Sequence, residues 1–131
     1  MASIFSKIAS GEIACHKVAE DDRFFAFLDI NPLAKGHTLV IPKKEVDYIF
    51  DIADQDFSDL FLFAKKIALS IKKCIKCEKV GVAVVGLEVH HAHIHLVPIN
   101  GIYDIDFSKS RVKMGEDEFE MIAKRISDKI E

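Results

Sequence analysis

A run of histidines before Pro98 constrains the fold more than any other part of the sequence. Four of the six histidines lie between positions 90 and 95, and from position 91 they alternate with alanine, isoleucine and leucine. Alternation with a period of two, rich in apolar residues and ended by a proline, predicts a β-strand. Successive side chains of a strand point to opposite faces of its sheet. We therefore expect His91, His93 and His95 on one face, with the apolar residues and His90 on the other.

Three imidazoles on one face of a strand predict a chemical site. An imidazole titrates near neutral pH and can act as an acid, a base, a nucleophile or a metal ligand. A single histidine on a strand is usually a surface residue or a satisfied core residue, but this spacing favours a function. Two interpretations remain open from the pattern alone. One is phosphoryl or nucleotidyl transfer with a histidine nucleophile, and the other is a zinc hydrolase that uses His91, His93 and His37 as ligands.

Length and composition bound the remaining possibilities. The 131 residues predict one globular domain, and 30% of them are charged, with a formal net charge of −3. The chain lacks the basic excess of a typical nucleic-acid-binding protein, so we expect no nucleic acid partner. We also expect no membrane association, because no apolar run approaches the ~20 residues that cross a bilayer. Three cysteines make no disulfide framework and the first residues do not resemble a signal peptide, so the expected location is cytoplasmic.

Periodicity predicts an antiparallel sheet with helices packed against it, an α+β fold. Apolar residues at helical spacing predict a short helix at residues 4–11, a long helix at 55–76 with Asp54 as its N-cap, and a C-terminal helix at 119–130. The expected strands are 14–20 and 23–29, joined as a hairpin, then 38–41, 80–85 and the histidine strand between Gly86 and Pro98. Residues 43–53 are expected to form a loop that contains a short helix.

The segment His91–Val97 follows the order His-φ-His-φ-His-φ-φ, in which φ is an apolar residue. This pattern resembles the histidine-triad (HIT) family of nucleotide hydrolases and transferases. Residues 4–8, 20–23, 27–32 and 36–44 are similar in order and spacing to the Hint-like branch. The resemblance covers about residues 3–99 and leaves 101–131 as a C-terminal tail with a helix. It implies one HIT domain with a five-stranded antiparallel sheet, a long helix and a C-terminal helix, in a homodimer that forms a ten-stranded sheet.

The resemblance also implies an activity and the residues that perform it. It implies a hydrolase or transferase that cleaves nucleoside 5′-monophosphate derivatives, such as phosphoramidates, anhydrides and dinucleoside polyphosphates, through a covalent nucleotidyl-histidine. His93 is then the nucleophile and His95 orients the site, while His91 and His37 contact phosphate oxygens. A neutral imidazole has a free lone pair near pH 7, so this chemistry needs no cofactor and no metal.

A purine nucleotide, an AMP or GMP derivative, is the partner that the resemblance implies. Asp29 would bind the ribose hydroxyls, although an aspartate here could instead cap a turn. Five apolar residues would form the slot for the base: Phe5, Ile8, Ile13, Phe27 and Ile30. Glu88, next to Leu87, stands where many relatives carry a polar uncharged residue, so we expect the leaving-group side of the site to differ. A nucleotide-binding regulatory protein with little turnover is the alternative.

Two further departures from the family bear on metals and on the tail. Ser3, Ser6 and Glu45 stand where some relatives hold a structural zinc, so we expect no zinc there. The Cys-x-x-Cys pair at positions 74 and 77 has no second pair, and neither redox nor metal use is expected of it. The tail segment 103–111 could reach the active site of the partner subunit.

Overall fold

The computed structural model describes residues 2–131, which form an antiparallel sheet with helices on both of its faces. The strands are β1 (Lys17–Glu20), β2 (Phe24–Leu28), β3 (Thr38–Pro42), β4 (Lys79–Ala83) and β5 (Ile94–Ile99). The helices are α1 (Ile4–Ala9), α2 (Asp54–Cys74) and α3 (Glu116–Asp128), and a 3₁₀ turn (Ile49–Asp51) lies in the predicted loop before α2. The order across the sheet is β1-β2-β3-β5-β4. The predicted α+β fold with five antiparallel strands is confirmed for the described residues.

The two faces of the sheet carry different side chains. Ala26, Val40 and Ile94 are in register across β2, β3 and β5, and they belong to the large core beneath α2 and α3. One residue along, Phe27, Leu39 and His95 are also in register and face the other side. There, α1 contributes Phe5 to a smaller apolar cluster. Alternation therefore places the histidine face of β5 beneath α1 rather than beneath the long helices.

Helix α2 buries the expected apolar stripe but begins and ends earlier than predicted. Four residues at i, i+4, i+7 and i+11 face the core: Leu60, Ala64, Ile67 and Ile71. Asp54 is the first helical residue rather than the N-cap, which is Ala53 and makes no side-chain cap bond. As a helical residue, Asp54 still stabilises the N-terminus through the helix dipole. The helix ends at Cys74 because Ile75 adopts an extended backbone.

The histidine strand is shorter at its start and longer at its end than predicted. β5 begins at Ile94, so His91 and His93 lie in the segment that leads into it. The strand also passes through Pro98, which pairs with Val80 of β4. β3 pairs with β5 only as far as Leu96, so the missing N–H of Pro98 breaks no bond to β3. The remaining boundaries differ by a few residues: β1 begins at residue 17, β2 spans 24–28, β4 ends at 83 and α3 spans 116–128.

Two expectations about covalent links and membranes can be compared with the described chain. Cys15, Cys74 and Cys77 are all free thiols. Among residues 2–131, no helix combines the length and the apolar character that crossing a bilayer requires.

Candidate active site

The ring of His93 is held in a single tautomer. Its Nδ1 lies 2.7 Å from the backbone oxygen of His91, and a carbonyl can only accept, so Nδ1 carries the proton. Nε2 consequently has a free lone pair, and it has no hydrogen-bond partner among residues 2–131. Every fully buried polar side-chain atom in that part of the chain has a partner, so this nitrogen reaches the surface. The Phe5 ring stands edge-on at 4.9 Å and supports the imidazole from the side of α1.

His37 and His95 form a relay that begins at the backbone. The N–H of Leu33 donates to Nδ1 of His37 over 3.0 Å, so the proton of a neutral His37 is on Nε2. That Nε2 donates to Nδ1 of His95, also over 3.0 Å. The proton of His95 is therefore on its own Nε2, which no group among the described residues accepts. The centroids of the His93 and His95 rings are 4.8 Å apart, so a ring with a free lone pair adjoins a ring with a free N–H.

His91 supports the site from beneath rather than lining it. Its Nε2 donates to the carbonyl of Pro42 and its Nδ1 accepts from the hydroxyl of Ser3, both over 2.7 Å, and the residue is fully buried. Ser3 and Ser6 in turn donate to one carboxylate oxygen of Glu45, over 2.6 and 2.8 Å. Ser3, Ser6 and Glu45, the residues at the position of the structural zinc of some relatives, are thus joined to His91 by hydrogen bonds.

The expected phosphate contacts of His91 and His37 are not available in this structure. Both rings are fully buried, and both nitrogens of each ring already have partners within the chain. The hydrogen bonds of His37 and His95 therefore differ from the roles that the resemblance implied. His37 orients its neighbour, and the free N–H that can reach a phosphate oxygen belongs to His95.

Burial keeps the imidazoles of the site neutral. It lowers the pKa of His37 to about 3 and that of His95 to about 4, and the nearby positive charge of Arg111 acts in the same direction. Burial also lowers the pKa of His93, although its bond to the carbonyl of His91 opposes the shift. At neutral pH these three rings are uncharged and each carries a single proton, so the lone pair on Nε2 of His93 is available for attack.

Asp29 caps a turn and also faces the ring of His37. One of its oxygens accepts from the N–H of Asn31 over 2.8 Å and so caps a turn, while the other lies 3.6 Å from Nε2 of His37. Burial raises the pKa of this carboxyl, and the Asn31 bond and the charge of Arg111 oppose the rise. The ligand atoms of Asp29, His37 and His95 lie within 4.8 Å of one another. Among residues 2–131 the structure does not gather His91, His93 and His37, the ligand set of the zinc interpretation.

The residues expected to bind the base divide into two groups. Phe5 and Phe27 are buried with their rings 5.5 Å apart, and Ile8 packs against the same cluster. Ile13 and Ile30 lie outside this cluster, and Ile30, next to Asp29, is 68% exposed. Glu88 lies on the loop between β4 and β5 and is also exposed. The next residue of this loop, Val89, packs against the cluster that contains Phe5. His90 is on the surface beside Asp47, 3.4 Å away, and takes no part in the site.

The C-terminal tail adds two residues that sequence reasoning missed. The Phe107 ring lies 4.7 Å from that of His95, and the guanidinium of Arg111 lies 5.6 Å from the Phe107 ring. The segment expected to reach a partner subunit therefore covers the site of its own chain. In the sequence this segment alternates apolar and polar residues from Tyr103 to Ser108, but the structure forms neither a helix nor a strand there, so the pattern does not indicate the contact with His95.

The chain is similar to known proteins in both sequence and structure. The HIT domain family profile matches residues 10–101. An adenosine 5′-monophosphoramidase of Schizosaccharomyces pombe is 33% identical over an alignment of 136 positions, which covers 99% of each chain. An uncharacterized HIT-like protein of Methanocaldococcus jannaschii is 39% identical over 99 residues, 72% of this chain and 77% of that protein. The crystal structure of a HIT-like protein from Bartonella henselae has a TM-score of 0.83 at 30% identity and covers 96% of this chain and 94% of that one.

Proposed function

The chain belongs to the HIT domain family, and we propose on this premise that it is a nucleotide hydrolase or transferase with His93 as its nucleophile. The substrates are nucleoside 5′-monophosphate derivatives, namely phosphoramidates, anhydrides and dinucleoside polyphosphates. A relative at 33% identity that is named an adenosine 5′-monophosphoramidase supports the class. The observation that carries the proposal is the 2.7 Å bond from Nδ1 of His93 to a backbone carbonyl, because it leaves Nε2 free to attack.

The reaction proceeds in two displacements at one phosphorus. Nε2 of His93 attacks the α-phosphorus, an N–P bond forms, and the leaving group departs with the bonding electrons and takes up a proton. Water then attacks the same phosphorus and the N–P bond breaks, which releases the nucleoside monophosphate and a proton and restores the neutral ring; another acceptor in place of water would take the nucleotidyl group instead. The carbonyl of His91 stabilises the positive charge on the ring during the intermediate. The Nε2–H of His95, adjacent to the nucleophile, donates to a phosphoryl oxygen as charge develops there.

The nucleoside occupies the side of the site toward α1 and the Asp29 turn. Asp29 accepts hydrogen bonds from the ribose hydroxyls through the oxygen that does not cap the turn. Phe5, Phe27, Ile8, Ile13 and Ile30 provide the apolar slot for a purine. The purine preference, the cytoplasmic location and a single domain spanning residues 1–131 stay predictions.

A homodimer completes the proposal. β4 is an edge strand of the sheet, and Val82 on β4 is exposed together with Leu62 and Leu69 on α2. An unpaired edge with exposed apolar side chains is a surface that natural proteins usually cover. Pairing of β4 with its copy would give the ten-stranded sheet. Size-exclusion chromatography with light scattering tests this, and Val82→Lys is expected to convert a dimer to a monomer.

Intact-protein mass spectrometry tests the enzyme directly. After mixing with adenosine 5′-phosphoramidate, the wild type is expected to carry a transient adduct of one nucleoside monophosphate. His93→Ala should carry none, and His90→Ala is the matched control because that histidine lies on the surface. Binding of AMP without adduct or turnover in the wild type would instead support the alternative, a nucleotide-binding regulatory protein, and would direct attention to the charge of Glu88.

A further inference from the structure

A short segment of the tail, Phe107–Val112, crosses the site and is called the strap here. The Phe107 ring packs edge-on against His95 at 4.7 Å and lies 6.5 Å from the ring of His37. It thereby excludes water from one side of the relay between these two histidines. Exposure of that relay would weaken the bond that sets the tautomer of His95, because water would compete for Nδ1.

Arg111 ties the strap to the turn that begins at Asp29. Its Nη1 donates to the carbonyl of Asn31 over 2.9 Å and its Nη2 donates to the carbonyl of Phe107 over 3.1 Å. The N–H of Val112 adds a third bond, to the carbonyl of Pro32 over 2.8 Å. A guanidinium is a planar fork with fixed donor directions, so a lysine could not make both side-chain bonds in this geometry.

The same turn holds the carboxylate that the proposed function assigns to the ribose. Asp29 caps the turn through the N–H of Asn31, and Arg111 binds the carbonyl of that same residue. The side chain of Arg111 therefore connects the turn on the nucleoside side of the site with Phe107, which covers the histidines. Its positive charge also favours the anionic form of Asp29 and the neutral forms of His37 and His95.

We propose that Arg111 is a positioning residue that fixes the Asp29 turn for ribose recognition and holds Phe107 over His95. This inference rests on the proposed function, because it explains how the proposed nucleotide site distinguishes ribose from 2′-deoxyribose substrates. Arg111 contacts neither the reacting phosphorus nor the nucleophile and acts through Asn31 and Phe107. It couples recognition of the 2′-hydroxyl to the geometry of the catalytic histidines.

The first test compares ribose and 2′-deoxyribose substrates. Arg111→Gln is expected to lower kcat/KM for adenosine 5′-phosphoramidate by roughly tenfold or more and to bring the ratio of ribose to deoxyribose activity close to one. Arg111→Lys keeps the charge but loses the fork, so the ratio should fall there as well. Lys109→Gln is the matched control, because Lys109 carries the same charge in the same segment but lies 3.9 Å from Asp104. An unchanged ratio in Arg111→Gln would overturn the proposal.

The second test needs no turnover and separates this inference from the proposed function. NMR of the imidazole nitrogens in the free protein reports the tautomer and the pKa of each histidine. The pKa of His37 and His95 should rise in Arg111→Gln and stay unchanged in Lys109→Gln, and unchanged values in Arg111→Gln would contradict the inference. A wild type that neither binds nor cleaves nucleotides would refute the proposed function, while the tautomer of His95 would still report whether Arg111 holds Phe107 over the relay. Should Arg111→Gln fail to fold, Phe107→Leu takes its place, since it removes the ring but keeps an apolar cover.

Discussion

His37 donates the proton of its Nε2 to Nδ1 of His95 across 3.0 Å, and this bond decides which nitrogen of His95 can face a substrate. The direction of the bond is set by the backbone, because the N–H of Leu33 occupies the other nitrogen of His37. A carbonyl sets the tautomer of His93 in the same way, with the opposite result. Two adjacent imidazoles thus present an N–H and a lone pair, which is the pair of functions that attack on a phosphoryl group requires.

Removal of the relay should impair catalysis without removing any group that touches the substrate. His37→Phe leaves Nδ1 of His95 without a donor, so His95 can bind its proton on either nitrogen. We expect kcat for a nucleoside phosphoramidate to fall roughly 10- to 100-fold, as for other residues that orient a functional histidine. His37→Gln, which retains an N–H donor, should lose less activity. Retention of full kcat in His37→Phe would show that the orientation of His95 does not depend on this bond.

The buried histidines should make the protein less stable in weak acid. The folded-state pKa is about 3 for His37 and about 4 for His95, whereas the ordinary value is 6.5. Between pH 6.5 and about 4 the unfolded chain therefore binds protons that the folded chain does not, and stability falls as the pH falls. Each group can contribute about 1.4 kcal/mol per pH unit in this window. Urea unfolding at pH 7.0 and 5.0 measures the loss, which should be smaller in His37→Gln.

Activity should extend to lower pH than an ordinary histidine would allow. Burial lowers the pKa of His93 below 6.5, so its lone pair remains free in weakly acidic solution. The acidic limb of a plot of kcat/KM against pH reports the pKa of the free enzyme. That limb is expected below pH 6.5 for the wild type. A limb at or above pH 6.5 would mean that the nucleophile is more solvated than this structure shows.

The faces of the sheet could be predicted from the sequence because they depend on local alternation. Ala92, Ile94 and Leu96 lie in the large core, and His93 and His95 point away from it, as the period of two requires. The roles of the histidines could not be predicted in this way. They depend on partners that are distant in sequence, such as the carbonyl of Pro42.

The position of the strap over the site could not be predicted from the sequence either, for a different reason. The strap has no periodic pattern, and its position follows from close packing elsewhere in the tail. Ile105 packs onto β4 at Gly81, where a side chain would collide with it. Such a contact between a glycine and a residue 24 positions later leaves no signal in a single sequence, and neither do the two carbonyls that Arg111 binds.

The hydroxyl of Ser3 should stabilise the fold more than its place near the N-terminus suggests. It donates to Nδ1 of the buried His91 and accepts from the N–H of Ser6 as the N-cap of α1. Ser3→Ala leaves Nδ1 of His91 with only the longer contact to the hydroxyl of Ser6, 3.4 Å away, at about 1–3 kcal/mol, and removes a cap worth about 1 kcal/mol. We expect a decrease of roughly 2 kcal/mol or more in the free energy of unfolding, measured with urea at pH 7.

Ser10→Ala is the matched control, because that exposed hydroxyl at the other end of α1 bonds only to the carbonyl of Lys7, and it should change stability little. Equal effects of the two substitutions would mean that the hydroxyl of Ser3 does not help to hold the ring of His91.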